Sequence, residues 1–195
     1  MDSYRIALFL HVITLVVAAS SSAVTKLAVG RRIRARTIAE ALEWHSLLVS
    51  ASRVFPICLA SFVITGAYMV SRAGSHAWAS GFVVSGLVGV AFLLGSGTYL
   101  GIKGKGLQQV LEKLAKDGAD RPVPKLIPPR LVAMLPVLNT GVAFGVVFDM
   151  VTKPASIALG LAVLVVAAAI SVASATRPSR NPARSSQPAR NPIRS

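Results

Sequence analysis

Five stretches of nearly unbroken apolar residues run through this chain: Ile6 to Val24, Leu47 to Val70, Ala77 to Ile102, Leu131 to Phe148 and Ala155 to Ala175. A bilayer hydrocarbon core is about 30 Å thick and takes about 20 helical residues to cross. Each stretch is close to that length. Backbone polar groups in lipid must be paired within the segment, which leaves helices or a closed barrel. Barrel strands alternate apolar and polar residues over about 10 positions, whereas Ala162 to Ile170 is apolar on every face. The expected fold class is all-α, a polytopic membrane helical bundle with five transmembrane helices.

Basic residues orient the bundle, because cytoplasmic loops keep Lys and Arg while short translocated loops lack them. The first connection carries Lys26, Arg31, Arg32, Arg34 and Arg36. The third carries Lys103, Lys105, Lys113, Lys116, Arg121, Lys125 and Arg130, and the tail Arg177, Arg180, Arg184, Arg190 and Arg194. Only Arg5, Arg53, Arg72 and Lys153 remain of the 21 basic residues, and Arg53 falls inside the second stretch near its basic end. Five spans put all three basic segments on one side, with the N-terminus outside and the C-terminus cytoplasmic. Asp149 to Pro154 is then a tight outer turn, with Pro154 suited to the first turn of the last helix. Ala18 to Ala23 has the small residues of a signal-peptide cleavage site. Cleavage would leave the Arg31 to Arg36 cluster on the translocated side, so the first span is expected to be retained.

The net charge of +14 is divided among membrane-flanking segments without interleaved aromatics, which favours anionic lipid headgroups over nucleic acid as the partner. Leu107, Val110, Leu111 and Leu114 have helical spacing. They read either as an interfacial helix or as an extension of span three. The segment 177–195 repeats Arg, Pro, Ser and Asn with little to bury, and is expected to be a disordered basic cytoplasmic tail after the bundle of residues 1–176.

Within the spans, small residues recur four apart at Ala18 and Ser22, Ser85 and Gly89, Gly97 and Gly101, and Gly141 and Gly145. Such faces let helix backbones approach closely, either within the chain or across a homo-oligomer seam. Pro56 and Pro136 each remove a helical hydrogen bond and predict kinks. Polar residues are costly in a span and tend to face the interior or a cavity. Counting depth from the span ends places His11, Ser85, Asn139 and Thr140 in one outer layer, with Thr65 in or just above it, and so predicts a small polar pocket opening outward.

Metal and cofactor chemistry find little purchase. A haem-b carrier needs two axial histidines on facing helices at one depth. His45 lies at the cytoplasmic edge, His11 in the outer half and His76 in the outer loop. His11, His76, Met69 and Met150 all lie towards the outer face, and imidazole with thioether suits Cu(I), which makes them the weak candidate metal set. Cys58 is alone and forms no intramolecular disulfide. Hydrolase, zinc-protease and phosphate-loop motifs are absent, so no catalytic residue and no cofactor is expected.

Ser52-Arg53-Val54-Phe55-Pro56, Thr65-Gly66-Ala67-Tyr68, the Trp78 to Gly95 segment, Leu138-Asn139-Thr140-Gly141 and Met150 to Pro154 together carry a resemblance. Over about residues 4 to 175 the chain resembles a family of predicted bacterial integral membrane proteins of unknown function, broadly similar to the copper-resistance D group. The resemblance implies a bacterial inner-membrane bundle with no assigned reaction. His11 falls where such proteins often have a first-helix histidine. The aromatic and small-residue pattern that usually follows it is replaced here by Thr14 to Ala23. Two functions are therefore expected to compete: a non-enzymatic bundle that packs with itself or a membrane partner, and a protein handling a small solute or copper through a pocket around His11 and Asn139.

Overall fold

The computed structural model describes residues 3–123 and 130–176. Six α-helices occur there: α1 (Ser3–Arg34), α2 (Ile38–Ser52), α3 (Val54–Ala73), α4 (Gly81–Gly118), α5 (Arg130–Thr152) and α6 (Ile157–Thr176), with a short 3₁₀ turn at Ser75–Ala79 before α4. The described residues contain no strand, only an isolated bridge between Thr37 and Pro122. Helices α2 and α3 run on as one 36-residue span, so five helices are long and apolar enough to cross a membrane. The expected segment 177–195 lies outside the described residues.

Helix ends depart from the apolar stretches for identifiable reasons. Helix α1 continues ten residues past Val24, ending in Arg31, Arg32 and Arg34, whose charges suit a helix C-terminus. Thr37 caps α2 by accepting from the Glu40 N–H, and Glu40 reaches back to the Arg36 N–H, a variant of the capping box shifted by one residue. The chain after α4 closes on the same point, where the carbonyls of Arg121 and Ala119 accept from the N–H groups of Ile38 and Ala39. Four N–H groups that the first turn of α2 would otherwise leave bare are thus partly satisfied. The break between α2 and α3 falls at Arg53, three residues before Pro56, and Arg53 is exposed. Pro136 sits inside α5 without ending it.

Of the two readings of Leu107 to Lys116, the extension of span three holds, since the segment continues α4. One boundary corrects the sequence reading. Asp149 to Thr152 is helical, so the turn before α6 shortens to Lys153–Ser156, with Lys153 in the left-handed region at φ 48°. A charged residue beside Thr, Lys and Pro looks like a turn in sequence. Here the fold keeps Asp149 in the helix by burying it.

The helices sort into two triads. Helix α1 packs on α2 and α3, whereas α5 packs on α4 and α6, and α4 also touches α6. The triads meet chiefly where α2 lies against α4, and among the described residues α1 does not pack against α4, α5 or α6. Burial is inverted relative to a protein in water. Ile64 and Phe144 are 69% exposed and Val165 is 68% exposed, whereas His45, Ser85 and Asp149 are wholly buried. Apolar exposure on this scale would promote association in water; among lipid chains it is the solvated surface, and the polar groups must find partners inside.

Candidate functional site

Four polar clasps join helices inside the bundle. Between α1 and α3, His11 Nδ1 lies 2.8 Å from Thr65 Oγ1. The Thr65 hydroxyl gives its one hydrogen to the Ser61 carbonyl at 2.6 Å, so His11 donates through Nδ1–H. Its ring also meets Phe62 edge to face, centroids 4.8 Å apart. One turn along, Thr14 donates to the Leu10 carbonyl and takes a 2.9 Å bond from Ser61 Oγ. Thr14 and Ser61 carried no signal in sequence that separates them from hydroxyls bonded to their own helix.

At the basic end, Arg32, His45 and Gly104 tie α1, α2 and α4 together. Arg32 Nη1 donates to His45 Nδ1 at 2.8 Å, and His45 Nε2 lies 2.9 Å from the Gly104 carbonyl. A guanidinium has no lone pair to offer, which makes Nδ1 the acceptor and Nε2–H the donor. The ring is therefore neutral in this fold. His45, expected only at a span edge, is 0% exposed.

Helices α4 and α5 share the other two clasps. Ser96 donates to Asn139 Oδ1 at 2.7 Å, and Ser85 donates to Asp149 Oδ2 at 2.7 Å. Eleven residues separate the two serines, about 16 Å along α4. Asn139 therefore lies well below Ser85. The expected common layer fails because α5 continues to Thr152 rather than ending near Phe148, and because α4 begins at Gly81 rather than Ala77. Thr140 spends its hydroxyl on the Pro136 carbonyl, one turn before it, beside the proline that removes a helical bond.

The residues expected to form one pocket are thus distributed. His11 and Thr65 pair in the first triad, while Ser85, Asn139 and Thr140 lie in the second. The candidate copper residues divide likewise: His11 is on α1, Met69 on α3, His76 on the exposed 3₁₀ turn, and Met150 packs against Val142, Val146 and Leu164 of the second triad. No cluster of three or more His, Cys, Asp or Glu side chains able to hold a metal occurs among the described residues. A cleft of about 270 Å³ opens between α1 and α3 at the arginine-poor end, lined by Ser3, Ala7, Leu10, Thr65 and Tyr68 among others. Tyr68 donates to Ser3 Oγ across it at 2.7 Å.

Glycines set the second contact type. A methyl group at Gly141 would lie 2.6 Å from the Ala167 carbonyl oxygen, and one at Gly145 would lie 2.9 Å from a Leu164 methyl. These positions hold α6 against α5. Gly97 and Gly101, by contrast, have nothing within 4 Å of where a methyl would stand. Comparison of the chain with protein-family models, curated proteins and solved structures found no match.

Proposed function

We propose that this is a non-enzymatic integral membrane protein of a bacterial inner membrane, whose role is exercised by lateral packing with a second copy of itself or with a membrane partner. The reading rests on the contrast between two glycine pairs. Gly141 and Gly145 are filled by α6, whereas Gly97-Thr98-Tyr99-Leu100-Gly101 leaves an unfilled small-residue face on α4. In lipid, helices associate through close packing at such faces rather than by escape of apolar groups from solvent. The distribution of Lys and Arg supports a topology with the N-terminus outside and the basic ends of α1 and α4 against anionic headgroups of the cytoplasmic leaflet, each basic residue contributing about 1 kcal/mol of attraction.

Native mass spectrometry of the mildly extracted protein tests the proposal. The expected result is a dimer, or a complex with one membrane partner, that Gly97→Leu or Gly101→Leu converts to a folded monomer. A monomeric wild type, or a complex indifferent to both substitutions, contradicts it. Solute or copper handling around His11 and Asn139 has less support, since those residues sit on helices that do not touch.

A further inference from the structure

A groove of about 480 Å³ runs between α2 and the last turns of α4. Its apolar lining comes from Ala39, Leu42, Ala115 and Ala119, and Glu43 and Glu112 line it as well. Both ends are fixed. At one, Ile38 and Ala39 donate to the carbonyls of Arg121 and Ala119, and at the other His45 Nε2–H donates to the Gly104 carbonyl. Glu112 stands ten residues beyond Ile102, about 15 Å past the end of the apolar stretch, so the groove opens where water reaches it. Its charge is the reverse of the chain's. The sequence has 21 basic residues against 7 acidic ones, yet no lysine or arginine lines the groove. Lys113 and Lys116 on α4 are exposed and lie outside it. Glu112 accepts only from Gln108 of its own helix, at 2.8 Å, and the Glu43 carboxylate has no partner among the described residues.

We propose that this groove is the docking site of the chain's own segment 177–195. That segment carries Arg177, Arg180, Arg184, Arg190 and Arg194 and no acidic residue, with prolines and alanines between them. It thus offers both chemistries that the groove presents a use for: guanidinium groups, which pair with carboxylates through two parallel hydrogen bonds, and small apolar side chains for the alanine and leucine lining. The segment also starts close by. Helices α4 and α6 run in the same direction, since Gly81 meets Ser156, Gly89 meets Leu164 and Ser85 meets Gly160. In that register Thr176, the end of α6, is level with Gly101, and Gln108 and Glu112 lie about 10 and 16 Å further along α4. An extended chain covers about 3.3 Å per residue, which gives Arg184 a reach of about 26 Å from Thr176. Attachment to α6 makes the contact intramolecular, at an effective concentration on the order of millimolar. Anionic headgroups attract every arginine alike and make no use of the apolar lining, whereas the groove uses both. A docked segment crosses the α2–α4 contact and so straps the two triads together. This goes beyond lateral packing and holds whichever way the bundle is oriented.

Disulfide trapping in the full chain tests the proposal. The protein carries Cys58→Ala, Ala115→Cys in the groove and Ala183→Cys in the segment, and is oxidised mildly in vesicles of phosphatidylcholine alone. The expected product is a disulfide within one chain. It should form faster than when Val110→Cys, outside the groove, replaces Ala115→Cys. Glu43→Gln combined with Glu112→Gln should slow it about three- to tenfold, as befits two solvent-exposed ion pairs. Both glutamates are exposed, so the double variant keeps the fold. Equal trapping at positions 115 and 110, a rate indifferent to the double variant, a disulfide formed only between chains, or trapping that requires phosphatidylglycerol would each overturn the proposal.

Discussion

The two triads hold their helices together in lipid by a different balance of means. In α4–α5–α6, two hydrogen bonds between side chains are joined by close backbone approach, as at Gly141 against Ala167 and Gly145 against Leu164. In α1–α2–α3 the helices are joined by side chains, through His11–Thr65, Thr14–Ser61 and Arg32–His45. Gly66 is its glycine nearest another helix, and a methyl there would lie 3.8 Å from His11, an ordinary contact. Burial differs less evenly: 11% and 6% of the apolar stretches are buried in the first two spans, against 22%, 28% and 11% in the third, fourth and fifth, so the deeper burial is confined to α4 and α5. Apolar side chains gain little by leaving lipid for one another, so a triad without close backbone contact must rely on hydrogen bonds. Packing precision and polar satisfaction are thus alternative solutions to the same problem, and substitution should separate them.

The largest effect is expected at the close backbone contact between α5 and α6. Gly141→Leu should cost upwards of about 1–3 kcal/mol, the range for overpacked cores, because the colliding atoms belong to the α6 main chain and cannot turn aside. Thermal unfolding in detergent would measure it, and a midpoint matching wild type would mean that α5 and α6 do not pack as described.

Acid should act next, and on the first triad. His45 is neutral in the fold, whereas an unfolded histidine takes up a proton near pH 6.5. The unfolded chain then binds more protons, so stability should be intact above that pH and fall as pH drops through it. His45→Gln offers an acceptor for Arg32 and a donor for Gly104 without titrating. Melting curves between neutral and mildly acidic pH should show a larger acid loss in wild type than in the variant.

Smaller changes are expected where one hydrogen bond is at stake. His11→Ala should cost about 1–2 kcal/mol, combining an interhelical bond with the edge contact to Phe62. A double-mutant cycle between Ser96→Ala and Asn139→Ala should give a coupling of about 0.6 kcal/mol, typical of hydrogen bonds between membrane helices. Zero coupling would imply that the two side chains do not meet. At the bottom of the scale, Gly66→Ala should be neutral or slightly stabilising, because the site has room and alanine favours helix by up to about 1 kcal/mol. Finding Gly66→Ala as damaging as Gly141→Leu would erase the distinction between the triads.

Hydropathy made the five spans legible, because lipid demands a length and an unbroken apolar composition that few other settings require. It left helix ends obscure. Arg34 and Gly118 lie beyond the apolar stretches, where helices persist through caps and contacts with the neighbouring loop. The polar residues were recognisable singly, but their pairing was not. Depth counted along a helix depends on where that helix ends, and the end of α5 at Thr152 together with the start of α4 at Gly81 put Asn139 and Ser85 in different layers. Asp149 shows the limit most clearly. Among Met150, Thr152, Lys153 and Pro154 it reads as a turn residue, and only the meeting of three helices reveals it as buried. His45, too, could be placed at a span edge but not foreseen as the bridge between Arg32 and Gly104.

The central claim is that five helices cross the membrane and leave the basic ends on one side. Single cysteines placed at the exposed positions Lys105 and Lys153 in a Cys58→Ala background, probed in intact cells with a membrane-impermeant thiol reagent, test it most directly. Labelling at position 153 with protection at 105 until the cells are lysed is the predicted result. Equal labelling of both positions before lysis would contradict the crossing.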